Sequence, residues 1–145
     1  MSKSNTTEND YVKFEANAVA MPAYGATLQL NLHTADPGET GHSHTNGAAY
    51  TNYAPVVISR DATGFTICDG TNPYAANASG NAYKNAADVL FPESGSGPEV
   101  ITHVSVSVVG TNQQILRKTA LTASLTVNNL ITPLFPAGTL VFAED

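Results

Sequence analysis

The chain has no tryptophan, a single cysteine, and only six basic and twelve acidic side chains among its 145 residues. Each shortage excludes something. With Cys68 alone, no intrachain disulfide and no cysteine metal cluster can form, which fits assembly in a reducing cytoplasm. No apolar run approaches the roughly 18 residues of a membrane-spanning helix, and no basic start with an apolar core marks a secretion signal, so a soluble chain without a membrane partner is expected. Charged residues make up 12%, against about 25% in typical soluble chains, so hydroxyls and amides must solubilise the surface. The net charge is −6, and the bases Lys3, Lys13, Arg60, Lys84, Arg117 and Lys118 form no stripe. Nucleic acid is therefore an unsuitable partner. Arg117 and Lys118, the only adjacent pair, read as a solvated strand end.

The motifs of catalysis are also missing. The chain contains no Gly-x-Ser-x-Gly elbow, no phosphate-cradling glycine loop and no His-Glu-x-x-His pair. Asp36 with Glu39 and Glu144 with Asp145 are carboxylate pairs in a turn and at a terminus, and Cys68 beside Ile67 reads as a small core residue. No enzyme is expected, and no cofactor. His42-Ser-His44, with His33 before it, has no defined set of further ligands, so surface loop histidines are preferred to a metal site. Asn5-Thr-Thr7 and Asn77-Ala-Ser79 match glycosylation sequons by chance on this reading. No heptad run, collagen triplet or longer repeat supports a fibrous shaft.

What is present is mainly strand pattern. Leu28, Leu30 and Leu32 alternate with Thr27, Gln29, Asn31 and His33, so one face is expected in the core and the amides outside it. Asp36-Pro-Gly38 supplies a turn at once. Val56 and Ile58 are expected to form a hairpin with Phe65 and Ile67 around Arg60–Gly64. Val104, Val106 and Val108 alternate with His103, Ser105 and Ser107, and Leu121, Ala123, Leu125 and Val127 with Thr122, Ser124, Thr126 and Asn128. Tyr11–Ala20 shows weak alternation, and only Asn81–Leu90 has a composition compatible with a short helix. About seven to nine short strands separated by Gly, Pro and Asn clusters imply an all-β, single-domain β-sandwich of jelly-roll type. Residues 1–10 hold no apolar residue after Met1 and are expected to be a polar, extended N-terminal arm, with the sandwich spanning 11–145.

The run Leu32-His-Thr-Ala-Asp-Pro-Gly-Glu39, with a later Tyr and a Pro-Val-Val strand, resembles a family of small bacteriophage structural proteins of the tail-fibre-like, minor tail or head-decoration type. The resemblance continues through Asn85-Ala-Ala-Asp-Val-Leu-Phe-Pro-Glu93, Val100-Ile-Thr-His-Val-Ser-Val106 and the Pro136-Ala-Gly-Thr-Leu-Val-Phe142 ending, in the family's order over residues 24 to 145. A Gly/Asn/Ala-rich stretch from Asp69 to Tyr83 departs from the pattern. The resemblance implies a small β-domain in a virion.

The expectation is accordingly a non-enzymatic virion protein, first of all a capsid decoration (cement) protein on a phage head, with a tail or tail-fibre component and a carbohydrate- or receptor-binding module as alternatives. Its expected partners are the major capsid protein and further copies of itself, as a dimer or trimer. Contact is assigned to arm residues Asn5, Thr6, Thr7, Glu8 and Asn9, reaching over a neighbouring subunit. Tyr74 and Tyr83 in the long loop add flat contact area of the kind common in binding loops.

Overall fold

The computed structural model describes residues 3–71, 76–77 and 79–143. One helix, α1 (Asn5–Asn17), precedes nine strands: β1 (Thr27–His33), β2 (Val56–Ser59), β3 (Phe65–Cys68), β4 (Ala82–Asn85), β5 (Val89–Leu90), β6 (Glu99–Val108), β7 (Ile115–Val127), β8 (Leu134–Phe135) and β9 (Val141–Ala143). They build a four-stranded sheet in the order β2-β1-β6-β7, a three-stranded sheet β3-β4-β9, and the pair β5-β8. Every pairing is antiparallel. These orders establish a sandwich-like all-β domain, and do not extend to the jelly-roll arrangement expected within it. The core lies between the layers, where Leu28, Leu30, Leu32, Val104 and Val106 meet Phe65, Phe91, Phe135, Leu140 and Phe142.

The alternation of β1 holds, but its outer face is not open to water. Gln29, Asn31 and His33 are as buried as the leucines, contrary to the expectation that the amides lie outside the core. The reason is that the segment around Ser43–Ala48 and the turn at Gly110 cover that face while satisfying every amide. Gln29 exchanges two hydrogen bonds with Gly110, Nε2 donating to the carbonyl at 3.1 Å and Oε1 accepting from the N–H at 2.9 Å. Gln29 Nε2 also donates to Asn31 Oδ1 (2.8 Å), and Asn31 Nδ2 reaches Ser105 Oγ and Ser107 Oγ on β6 at 3.2 and 3.0 Å. A buried polar group is tolerated when it is paired in this way.

His33 closes the network. Thr45 O at 2.8 Å can only accept, which places the ring proton on Nδ1, so Nε2 accepts from Ser105 Oγ at 2.7 Å. Burial pushes its pKa down to about 4, with the neighbouring His103 adding to the fall against the opposing Thr45 bond.

Three local expectations are overturned. Asn5–Asn17, expected as part of an extended arm and of a weak strand through Tyr11–Ala20, form α1 instead, while Met1 and Ser2 of the arm lie outside the described residues. Ser4, extended at φ −85°, caps it by accepting the Thr7 N–H at 3.4 Å, Glu8 lies in the first turn, and Ala18 at φ 53° ends it. No apolar stripe announces this helix, because it is moored by hydroxyls. Ser4 Oγ and Thr7 Oγ1 both donate to Ile115 O, at 2.8 and 2.7 Å, and Gln114 Nε2 bridges Thr7 Oγ1 and Asp10 Oδ2. Ile115 sits beside a one-residue bulge, since Val106 pairs with Arg117 and Ser107 with Ile115, and bulges re-aim ladder groups.

The second correction concerns the hairpin. β2 pairs with β1 and β3 with β4, so residues 60–64 carry the chain from one sheet to the other. Asp61 organises that corner, its carboxylate taking the Thr63 N–H and hydroxyl at 2.8 and 2.6 Å and its carbonyl the N–H groups of Gly64 and Phe65. A Cβ on Gly64 would lie 2.0 Å from Ser59 O, which makes glycine obligatory there.

The third is Asn81–Leu90, which is strand rather than helix. The extended Ala82–Asn85 is clamped between β3 and β9, and buried Asn85 accepts the Leu140 N–H (2.9 Å) while donating to Ala87 O and Pro136 O. Tertiary pairing overrides composition in such a segment.

Candidate functional site

Where the edges of the two main sheets part, α1 and the corner at residues 60–62 enclose a groove of about 680 Å³. Its floor is the apolar edge of the core, Leu28, Phe65 and Leu116. Its walls carry Tyr11 from α1, Tyr24 from the segment before β1, Ile67 from β3 and Tyr83 from β4. Both arginines of the chain, 57 positions apart, stand in this one groove. The Arg60 guanidinium lies 5.4 Å from the Tyr24 ring centre and that of Arg117 lies 5.7 Å from the Tyr83 ring, within cation–π reach.

Each arginine is tethered through Nη1 to a backbone carbonyl, Arg60 to Gly25 O (3.1 Å) and Arg117 to Ala143 O (3.0 Å). The second bond ties β7 to β9 and so joins the two sheets at the groove. Tyr83 is held edge-on to Phe65 at 5.2 Å and tilted on Phe142 at 5.5 Å. Burial raises its phenol above the ordinary value, with the Arg117 charge opposing. Tyr24 Oη is buried beside Gln114 without a hydrogen bond of good geometry. Burial, then the charge of Asp10, raises that phenol also. A chain of net charge −6 thus gathers guanidinium groups and aromatic faces around one concavity whose size and apolar floor are those of ligand sites.

Of the residues singled out in the sequence, Tyr83 belongs to this groove. Tyr74 falls outside the described residues. Thr7 borders the groove but spends its hydroxyl on Ile115 and Gln114, so it is a mooring point of α1. Asn5, Thr6 and Asn9 are exposed on the helix and Glu8 is half-buried, so the five residues lie on the turns of α1 and not along an extended strip. Arg117 and Lys118, expected as a solvated strand end, are drawn inward. Lys118 is 7% exposed and its ammonium lies 2.7 Å from Asp36 and 3.6 Å from Glu39. Burial acts to raise the Asp36 carboxyl, but the hydrogen bonds from Lys118 and Gly38 and the lysine charge outweigh it and hold the pKa below the ordinary value.

The histidine loop is used locally. His42 Nδ1 accepts from the His44 N–H at 3.3 Å and His44 Nδ1 from the Asn112 N–H at 3.2 Å. Among the described residues no three His, Cys, Asp or Glu side chains converge as metal ligands. Cys68 is fully buried, and that burial pushes its thiol up. Sequence reading missed Arg60, Tyr11, Tyr24 and the role of Arg117, because no local spacing connects them. The one available signal was that the chain has only two arginines.

A comparison with curated proteins gives no match. A family model described as "Podophage GP4 fiber I protein gp80" matches residues 2–143, which takes in α1, both sheets and the groove. The chain therefore belongs to this podophage fibre protein family.

Proposed function

We propose that the chain is a component of a podophage fibre, a virion structural protein that works by binding and not by catalysis. The family match over nearly the whole chain carries the reading. It favours a fibre over the head decoration that the sequence reading places first, since the family is described by its fibre protein. A fibre subunit must attach to the particle and to its neighbours. Leu90 and Leu134 oppose each other across the β5–β8 pair and stay 56% and 48% exposed, and Leu130 nearby in sequence is 70% exposed. Exposed apolar groups of this kind suit protein contact, and self-association as a dimer or trimer is the corresponding proposal.

Gold-labelled antibody raised against the chain tests the reading on intact particles. Label on fibre appendages is the expected result. Label distributed over the head shell would restore the decoration reading, and no label on intact or partly disrupted particles would remove the chain from the virion.

A further inference from the structure

We infer that two copies of this chain pair through the free edge of β2, antiparallel and about a two-fold axis, so that their four-stranded sheets run on as one. The first ground is the ladder. The Arg60 N–H donates to Ala26 O at 2.9 Å, one step beyond the Thr27–Ser59 pair, and hydrogen-bonded pairs alternate along an antiparallel ladder. Val56 and Ile58 therefore bond to β1. Val57 and Ser59 turn their N–H and C=O groups outward, where no further strand follows among the described residues. The second ground is the contrast with other edges, since natural edge strands are guarded by charges, bulges or covering segments. β7, the opposite edge of this sheet, has two register shifts against β6, carries Arg117 and Lys118, and has α1 moored at Ile115. The outer side of β3 is taken by Ala76 and by Asn77, whose N–H donates to Ile67 O at 2.9 Å. β2 reads Val-Val-Ile-Ser and has neither a charge nor a bulge. Beside it a cleft of about 210 Å³ opens towards β5, lined among others by Val56, Val57, Ile58 and Leu90, and Val57 and Leu90 are 55% and 56% exposed.

The third ground, self-complementarity, selects a second copy as the occupant. With Val57 opposite Val57 of the second copy, the two residues exchange both of their hydrogen bonds. Ser59 then faces Pro55 of the second copy, and its N–H meets the proline carbonyl. Pro55 has no N–H to return. That missing donor falls on the Ser59 carbonyl, which Gly64 already covers so closely that an added Cβ would lie 2.0 Å from it. An uncharged strand also lets two chains of net charge −6 approach. This contact deepens the self-association proposed for a fibre component, yet it is read on the purified chain, so it can fail while the place in the virion stands.

The test is sedimentation equilibrium of the full chain over a range of concentrations, with amide exchange measured in parallel. A monomer–dimer equilibrium is expected, and exchange at Val57 and Ser59 should slow as the dimer forms. Val57→Lys, at an exposed side chain, sets like charges opposite each other and should weaken pairing about tenfold, with an unchanged melt of the monomer. Val57→Glu should do the same by itself. An equimolar mixture of the two variants should pair again, because the two-fold register sets lysine opposite glutamate. A chain that stays monomeric at every concentration, which would hand the edge to a different protein, would overturn the proposal. So would a trimer, a dimer of the unaltered chain whose Val57 and Ser59 amides exchange freely, undiminished pairing of Val57→Lys, or a mixture of folded variants that does not recover.

Discussion

The outer face of β1 and the groove under α1 both set polar side chains against the same sheet, with opposite outcomes. On the outer face, Gln29, Asn31, His33, Ser105 and Ser107 are sealed beneath loops, and each polar group finds a partner within the protein. In the groove, Arg60 is exposed, Arg117 and Tyr83 are half-buried, and the cations are fixed over rings at the rim of an open space. A closed and satisfied polar network serves stability, because breaking it strands buried donors and acceptors. In the groove, the exposed Arg60 adds little stability, whereas Arg117 ties β7 to β9.

This contrast can be broken by substitution. Leu30, fully buried on the apolar face of β1, sets the scale. Leu30→Ala should destabilise by about 2–5 kcal/mol in denaturant melts, through lost burial and a residual cavity. Acid should attack the sealed face next. His33 is neutral in the fold, with its pKa lowered to about 4 from the ordinary 6.5, so the unfolded chain binds the extra proton first. Its contribution is full above pH 6.5 and is lost as pH falls towards 4, by up to about 3 kcal/mol. His33→Gln should flatten that part of the stability–pH curve. Asn31→Ala should cost about 1–3 kcal/mol by removing its buried hydrogen bonds with Gln29, Ser105 and Ser107. A melt indistinguishable from the unaltered protein would show that the outer face is not sealed.

How far the sequence disclosed this contrast depends on the kind of interaction involved. The alternation of Leu28, Leu30 and Leu32 against Gln29, Asn31 and His33 was legible and correct as a period. Its extension, that amides mean water, failed because a hydrogen bond to Gly110 or Ser105 depends on residues 72 to 81 positions away. The α1 helix was hidden for a similar reason, since its anchors are the Ser4 and Thr7 hydroxyls on the Ile115 carbonyl and not an apolar stripe. The β2–β3 hairpin was misread because Asp61 and Gly64 form a corner between sheets, which uses the same residue types as a hairpin turn. Tyr83 and Thr7 line the groove and were singled out beforehand as contact residues, and the rest of the lining comes from other places in the chain.

The smaller effects sharpen the comparison. Ser4→Ala should cost about 0.5–2 kcal/mol through the lost cap and mooring bond, and should increase amide exchange in α1 more than in β1 or β6. Arg60→Gln should change stability by no more than about 0.5 kcal/mol, as an exposed substitution away from the core. A larger loss would assign Arg60 to the structure and not to the groove's chemistry.

The proposed place in the virion is tested most directly by counting copies per particle. Quantitative mass spectrometry of purified virions, calibrated against the major capsid protein, reads that number. A count far below that of the capsid protein, in keeping with a limited set of appendages, is the result expected of a fibre component. A count comparable to the capsid protein would instead identify a head-decorating protein, and absence from the purified particle would contradict the account outright.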